Sequence, residues 1–294
     1  MNGSASSVDS VNARLGNPDA YLTDHVLDQF LLKDHVVVIT GGGGGIGLAL
    51  AFAVAEAGGL VAIIDAVPEP HEHYNLLLEI APKSKFYQSD VTSYDRLKAT
   101  FDEVIVNFGR IDGLVTAAGV AMDKPFLEKT PEGLQRTFSV NVFGTFYATQ
   151  LAVRQMTTQQ PRRPGASGAG SVVMIASVAA HQSSNHQFTS DYCSSKGAVV
   201  SLKNQLAVEL AKDDIRVNCI SPGYIATETL LRFAQARPEI AEVCMTEPPA
   251  HRMGNRGELK GAVVYLLSEA SSYMSGSEML ITGALHVGRY WNGS

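Results

Sequence analysis

Cysteine is scarce in this chain, with only Cys193, Cys219 and Cys244 among 294 residues. The count is odd, the spacings are wide and no CxxC pair occurs, so neither a disulfide framework nor a zinc site is indicated. A reducing, cytoplasmic setting is the expectation. Tryptophan is scarcer still, a single residue near the C-terminal end. Charged residues make up 18% and the net charge is −6, which leaves no basic field for nucleic acid or an anionic membrane. No apolar run reaches the ~20 residues of a membrane span. The most apolar window, 48–64, is broken by Glu56 and Gly58-Gly59. The opening stretch MNGSASSVDSVNARLG lacks the apolar segment of a signal peptide. The expected partners therefore include no nucleic acid, membrane or metal.

What is present is an alternation of strand and helix signals. VVVIT (36–40), VAIID (61–65), KFYQSD (85–90), DGLVTAAG (112–119), SVVMIAS (171–177), IRVNCIS (215–221) and MLITG (279–283) read as strands. Helical stretches are expected near 93–108, 130–157, 190–212 and 256–268. Continuous apolar strands alternating with helices indicate an α/β fold, a doubly wound parallel sheet of about seven strands with helices on both faces. Residues 1–30 read as an N-terminal arm and 31–294 as one Rossmann-type domain. QQPRRPGASGAG (159–170) reads as a surface insertion.

The segment 40–47, TGGGGGIG, follows the first strand directly and opens a helix. Glycine there permits a tight turn and close backbone approach, and the helix N-terminus offers free N–H groups to a pyrophosphate. A flexible linker has the same composition, but it would not sit between a β-branched run and an apolar helix. Asp65 ends the second strand. A carboxylate at that place accepts hydrogen bonds from ribose hydroxyls and repels a 2′-phosphate. No Arg or Lys occurs in the glycine loop or in AVPEP (66–70), so NAD is expected over NADP. The bland alternative for Asp65 is a turn residue ahead of a proline-rich loop.

Tyr-x-x-x-Lys occurs twice, at Tyr94/Lys98 and Tyr192/Lys196. Residues i and i+4 share a helix face, so either pair sets a phenol beside an ammonium. Tyr94 lies on a helix with an apolar stripe of Leu97, Phe101 and Val104, an ordinary surface helix. Tyr192 opens a more apolar helix and follows the strand that ends in Ser177. Hydride transfer at a carbinol carbon requires proton transfer at its oxygen. A free tyrosine, with a pKa near 10, is a poor base at neutral pH unless a cation favours its phenolate.

With these pieces in place the chain resembles the short-chain dehydrogenase/reductase family from about 31 to 285. The matches are TGGGGGIG (40–47), Asp90-Val91, TAAG (116–119), Asn141 in SVNVFGT, Ser177 in IAS, Tyr192-x-x-x-Lys196 and RVNCISPGYIAT (216–227), in family order. The resemblance implies an NAD-dependent oxidoreductase interconverting a secondary alcohol and a ketone. Asn141, Ser177, Tyr192 and Lys196 would form its catalytic tetrad. Tyr192 would be the general acid/base and Ser177 would orient the substrate oxygen. Lys196 would lower the tyrosine pKa and bind the nicotinamide ribose, and Asn141 would hold a water in a proton relay. Gly41, Gly45, Ile46, Gly47, Asp65, Asp90, Val91, Ala118 and Gly119 would hold the dinucleotide. Pro222, Gly223, Ile225 and Thr227 would lie against its nicotinamide end. A homodimer or homotetramer is implied.

The chain departs from the family at three places. Thr116 opens TAAG where asparagine is usual, with a hydroxyl expected to bond neighbouring strands. Thr282-Gly283-Ala284 replaces the usual Asp-Gly-Gly. Ser177 precedes Tyr192 by 15 residues, slightly more than is common, which makes Ser183 and Ser184 the backups. His181, His186 and Phe188 in the intervening loop are candidates to line a pocket, though such residues are more often solvated. Residues 228–254 should form a substrate lid carrying Leu230, Leu231, Phe233 and Met245 with Arg232, Arg237 and Arg252. A polyol is one candidate substrate beside a steroid, a hydroxy-acyl compound or a secondary metabolite. The competing function is a non-catalytic dinucleotide-binding or redox-sensing protein, which would have no need of Tyr192. Lyase or epimerase chemistry ranks last.

Overall fold

The computed structural model describes residues 19–160, 169–184 and 186–288. Most of the expected N-terminal arm, the centre of the 159–170 insertion and the tryptophan-bearing tail lie outside these residues.

Nine strands and nine α-helices run in chain order among the described residues. They are β1 (Val36–Thr40), α1 (Gly45–Glu56), β2 (Leu60–Asp65), α2 (Tyr74–Ile80), β3 (Lys85–Gln88), α3 (Tyr94–Phe108), β4 (Gly113–Thr116), α4 (Pro131–Phe138), α5 (Thr145–Met156), β5 (Gly170–Ile175), α6 (Ser190–Glu209), β6 (Ile215–Pro222), β7 (Ile225–Ala226), α7 (Glu228–Ala236), α8 (Pro238–Thr246), β8 (Gly254–Asn255), α9 (Lys260–Leu267) and β9 (Glu278–Ile281). Seven strands form one parallel sheet in the order β3-β2-β1-β4-β5-β6-β9. The apolar runs predicted this arrangement: every residue of β1 and β4 is buried, as a sheet covered on both faces requires.

The order reverses between β1 and β4, which opens a crevice beyond their carboxyl ends. One core layer joins α1 and α9 to the sheet through Leu50, Val54, Val263 and Leu266. The other joins α3, α5 and α6 through Phe101, Ala148, Met156 and Val199. The carboxylate of Asp112 accepts the Val36 N–H at 2.9 Å and is held by Arg110, which pins the start of β4 to β1.

Four features differ from the sequence expectation. The stretch 130–157 is not one helix. Ser139–Gly144 forms a π-helical turn between α4 and α5. Helix α2 has no counterpart among the expected elements. The lid consists of two helices, α7 and α8, above a small ribbon in which β7 pairs with β8. Finally, the Thr116 hydroxyl is buried and makes no hydrogen bond to the neighbouring strands. Among the described residues, no helix is long and apolar enough to cross a membrane.

Candidate active site

The glycine loop leaves β1 through Gly41, whose φ of 70° suits glycine. A Cβ on Gly41 would lie 2.5 Å from the Ala118 backbone, and one on Gly47 would lie 2.1 Å from the Gly41 carbonyl oxygen. The first contact brings β1 and β4 together at the crevice floor, and the second seats α1 on its own loop. Above them lies a cleft of about 1640 Å³, lined by Gly41, Gly45, Ile46, Gly47, Asp65, Asp90, Val91, Ala118 and Gly119. That volume exceeds the roughly 300–1,000 Å³ of a typical small-molecule pocket.

Asp65 does two things at this wall. It faces the cleft, and its carboxylate accepts the N–H of Gly43 at 2.9 Å and of Val67 at 3.2 Å. The chain beyond it folds back, with His71 N–H donating to the Gly43 carbonyl at 2.8 Å. Asp90 turns the chain by accepting the Thr92 N–H at 2.9 Å. The buried Ser89 hydroxyl lines the same cleft without a hydrogen-bond partner. A side-chain-free cradle, a helix N-terminus and an unused hydroxyl fit a dinucleotide.

Ser177, Tyr192 and Lys196 line the other end of the cleft, near Pro222, Gly223 and Thr227. The Ser177 hydroxyl accepts the Ala179 N–H at 3.1 Å and stands close enough to the Tyr192 phenol to favour its ionised form. Of the backup serines, Ser184 is engaged elsewhere, donating to Glu247 at 3.1 Å. Burial raises the phenol above its ordinary value, the Ser177 hydrogen bond partly offsets this, and neighbouring Cys193 adds to the rise. Lys196 is buried, donates to the Ile175 carbonyl at 2.8 Å and sits 5.6 Å from the Tyr192 ring centroid. Burial pushes its ammonium down to about 8. Burial dominates both groups, and the ammonium is drawn to a carbonyl instead of the phenolic oxygen.

Asn141 and Ile225 do not stand on the cleft wall. Asn141 is fully buried in the π-helical turn. Its amide donates to the Val120 carbonyl and to Ser195 Oγ, both at 2.9 Å, and its oxygen accepts the Val120 N–H at 2.8 Å. Ser195 in turn donates to the Tyr192 carbonyl at 2.8 Å. Asn141 thus clamps the segment after β4 to the helix bearing Tyr192. The Ile225 side chain packs into the core.

Three polar clusters near the site escaped sequence reading. Asp191, directly before Tyr192, forms a buried ion pair with Lys129 at 2.6 Å and accepts from Thr137 Oγ1 at 2.9 Å. Burial alone would raise this carboxyl. The hydrogen bonds from Lys129, Thr137 and the Tyr192 N–H, with the Lys129 charge, hold it below its ordinary value. Arg237, between the lid helices, pairs with Asp123 at 2.7 Å, and Asp123 also accepts the Phe188 N–H at 2.6 Å. Glu247 gathers Ser184 and Tyr224, the latter at 2.9 Å, and burial pushes the Tyr224 phenol up. These partners lie far apart in sequence. The one local signal was an acidic residue in the first turn of α6, where the helix dipole favours it.

Leu231 and Arg232 of the lid line the cleft. Arg252 pairs with Glu258, Met245 is half exposed, Leu230 N–H donates to Thr227, and the Phe233 side chain lies outside the described ones. His181 points to Glu278 at 2.6 Å. Neither it nor His186 nor Phe188 lines the cleft, so the pocket-lining expectation for them is corrected. Among the described residues, no cluster of three or more His, Cys, Asp or Glu is placed to hold a metal ion.

Residues 41–286 match the protein family described as enoyl-(acyl carrier protein) reductase. The NADP-dependent mannitol dehydrogenase of Hypocrea jecorina is 32% identical over 88% of this chain and 95% of its own length. The 7alpha-hydroxysteroid dehydrogenase of Escherichia coli is 32% identical over 87% of this chain and 96% of its own. A crystal structure of a short-chain type dehydrogenase/reductase from Mycobacterium marinum superimposes with a TM-score of 0.78 at 37% identity, covering 89% of this chain and 99% of that one.

Proposed function

The chain belongs to the short-chain dehydrogenase/reductase family, and from that premise we propose that it is an NAD(H)-dependent enzyme interconverting a secondary alcohol and a ketone. The observation that carries this reading is the meeting of Tyr192, Ser177 and Lys196 in the same cleft as the glycine cradle. A protein that only binds a dinucleotide has no use for that meeting.

The residues divide the work as follows. Ser177 holds the substrate oxygen by a hydrogen bond. Tyr192 takes the hydroxyl proton during oxidation and returns it during reduction. Lys196 supplies a cation beside the phenol and binds the nicotinamide ribose. Asn141 holds the catalytic helix in place through Ser195. Gly41, Gly45, Ile46 and Gly47 cradle the pyrophosphate at the α1 N-terminus. Asp90, Val91, Ala118 and Gly119 flank the adenosine half, and Pro222, Gly223 and Thr227 the nicotinamide half. The nicotinamide, when bound, accepts or donates the hydride.

NAD(H) is supported by the Asp65 carboxylate at the end of β2 and by the lack of Lys and Arg in the glycine loop and in 66–70. A polar substrate, with a polyol as one candidate, is supported by Glu132, Arg136, Glu228 and Arg232 lining the same cleft. The test is a panel of secondary alcohols with NAD⁺ and NADP⁺. Turnover with NAD⁺ that disappears in Tyr192→Phe is the expected result. Equal use of both cofactors overturns the specificity argument, and equal inertness of wild type and variant despite NADH binding overturns the catalytic one.

A further inference from the structure

A buried polar seam runs between α4, the π-helical turn and the first turns of α6. It consists of Thr137, Asn141, Asp191 and Ser195, none more than 4% exposed. Its one carboxylate, Asp191, sits immediately before Tyr192. Each of its oxygens is engaged from the α4 side: Oδ1 by Lys129 Nζ at 2.6 Å and Oδ2 by Thr137 Oγ1 at 2.9 Å. The Tyr192 N–H, next to it in the chain, also favours its charged form. Lys129 is only 12% exposed and reaches the Met122 carbonyl at 3.3 Å, so the cation is fixed to the segment that Asn141 clamps. A staple serving stability alone has no need of a net charge at this place, since an apolar pair of similar volume usually serves as well.

We propose that the Lys129–Asp191 ion pair is a positioning device for Tyr192, fixing the first turn of its helix and keeping the buried carboxylate one residue before it neutralised. The inference rests on the reading of Tyr192 as the general acid/base. Other ionisable groups on the elements packed against α6 are Glu132 and Arg136 on α4 and Arg216 and Cys219 on β6. His181 follows the short turn after β5 and is paired with Glu278. The π-helical turn carries none. Cys193, Lys196, Lys203 and Glu209 lie on α6 itself.

The two partners have opposite electrostatic effects, which gives the test its sign. Lys129→Met leaves a buried, unpaired Asp191 anion one residue before Tyr192 and disfavours phenolate. Asp191→Asn leaves the Lys129 cation and favours it. The experiment compares these two variants, their double and Tyr192→Phe by the pH profile of kcat for alcohol oxidation. In parallel, the ¹³Cζ resonance of Tyr192 is titrated in the unloaded protein and assigned by its absence from Tyr192→Phe. Lys129→Met should move the midpoint up by about one pH unit, with kcat at neutral pH falling about tenfold. Asp191→Asn should move the midpoint down, and the double variant should return it near wild type. Shifts of the same sign, or none, overturn the inference. If Lys129→Met does not fold, the isosteric Asp191→Asn still decides by the direction of its shift. Full turnover in Tyr192→Phe overturns the general acid/base reading itself. An inert Tyr192→Phe beside unmoved midpoints overturns only the ion-pair inference.

Discussion

Helices α3 and α6 each carry a tyrosine with a lysine one turn later. On α3, Lys98 pairs with Asp102 at 2.7 Å and both side chains are about half exposed. Tyr94 stacks edge-on with Tyr147 at 5.3 Å, tying α3 to α5. On α6, Lys196 is buried against the Ile175 carbonyl and Tyr192 meets Ser177 across a cleft. Identical spacing thus yields a surface brace in one place and a candidate proton-transfer pair in the other. The difference comes from what lies opposite each helix. Helix α3 faces another helix, whereas the start of α6 faces strand ends at the crevice where the sheet order reverses. Spacing sets a geometry within a helix, and the neighbours set its chemistry.

The largest effect should separate the two tyrosines. Tyr192→Phe should lower kcat by roughly 10²–10⁴-fold, the usual worth of general acid/base catalysis. Tyr94→Phe should leave steady-state turnover near wild type, and a comparable loss there would erase the comparison. Stability should then separate the ion pairs near each tyrosine. Breaking the buried pair with Lys129→Met should cost about 3–5 kcal/mol in denaturant unfolding.

Lys196 should make stability depend on pH. Its folded value of about 8 lies below the ordinary 10.5, so the unfolded chain holds that proton more tightly. The burial penalty is full below about 8 and fades as pH rises toward 10.5. Wild type should therefore gain stability relative to Lys196→Met across that window, by on the order of 3 kcal/mol. Parallel curves for the two proteins would show that Lys196 is not desolvated. The smallest effect belongs to the surface pair, where Lys98→Met should cost only about 0.3–0.5 kcal/mol and less at high salt.

The sheet was legible because its strands are unbroken β-branched and apolar runs, and the cradle because Gly41 and Gly47 sit where any Cβ would collide. Ser177, Tyr192 and Lys196 were legible through their order along the chain. What could not be read was pairing across distance. Nothing local to Lys129 or Asp123 announces Asp191 or Arg237. The π-helical turn at Asn141 arises from an extra residue accommodated within a helical pattern, which periodicity does not register. The unpartnered Thr116 hydroxyl was not legible because which groups surround a buried side chain is set by packing across strands.

One further consequence concerns Gly43 and Asp65. The side chain on which the proposed cofactor preference rests also cinches the glycine loop, through the Gly43 N–H. A Cβ at 43 would lie 2.9 Å from that same carboxylate oxygen. Shortening residue 65 would therefore remove a negative charge and release the loop, yet Val67 Cγ2, also 2.9 Å from a Cβ at 43, would still crowd it. Positions 43, 65 and 67 are thus coupled: a side chain at 43 needs both 65 and 67 to give way. A library that varies 65 alone samples loosened loops. One that varies 43, 65 and 67 together tests whether the proposed cofactor preference can be exchanged with the cradle kept shut.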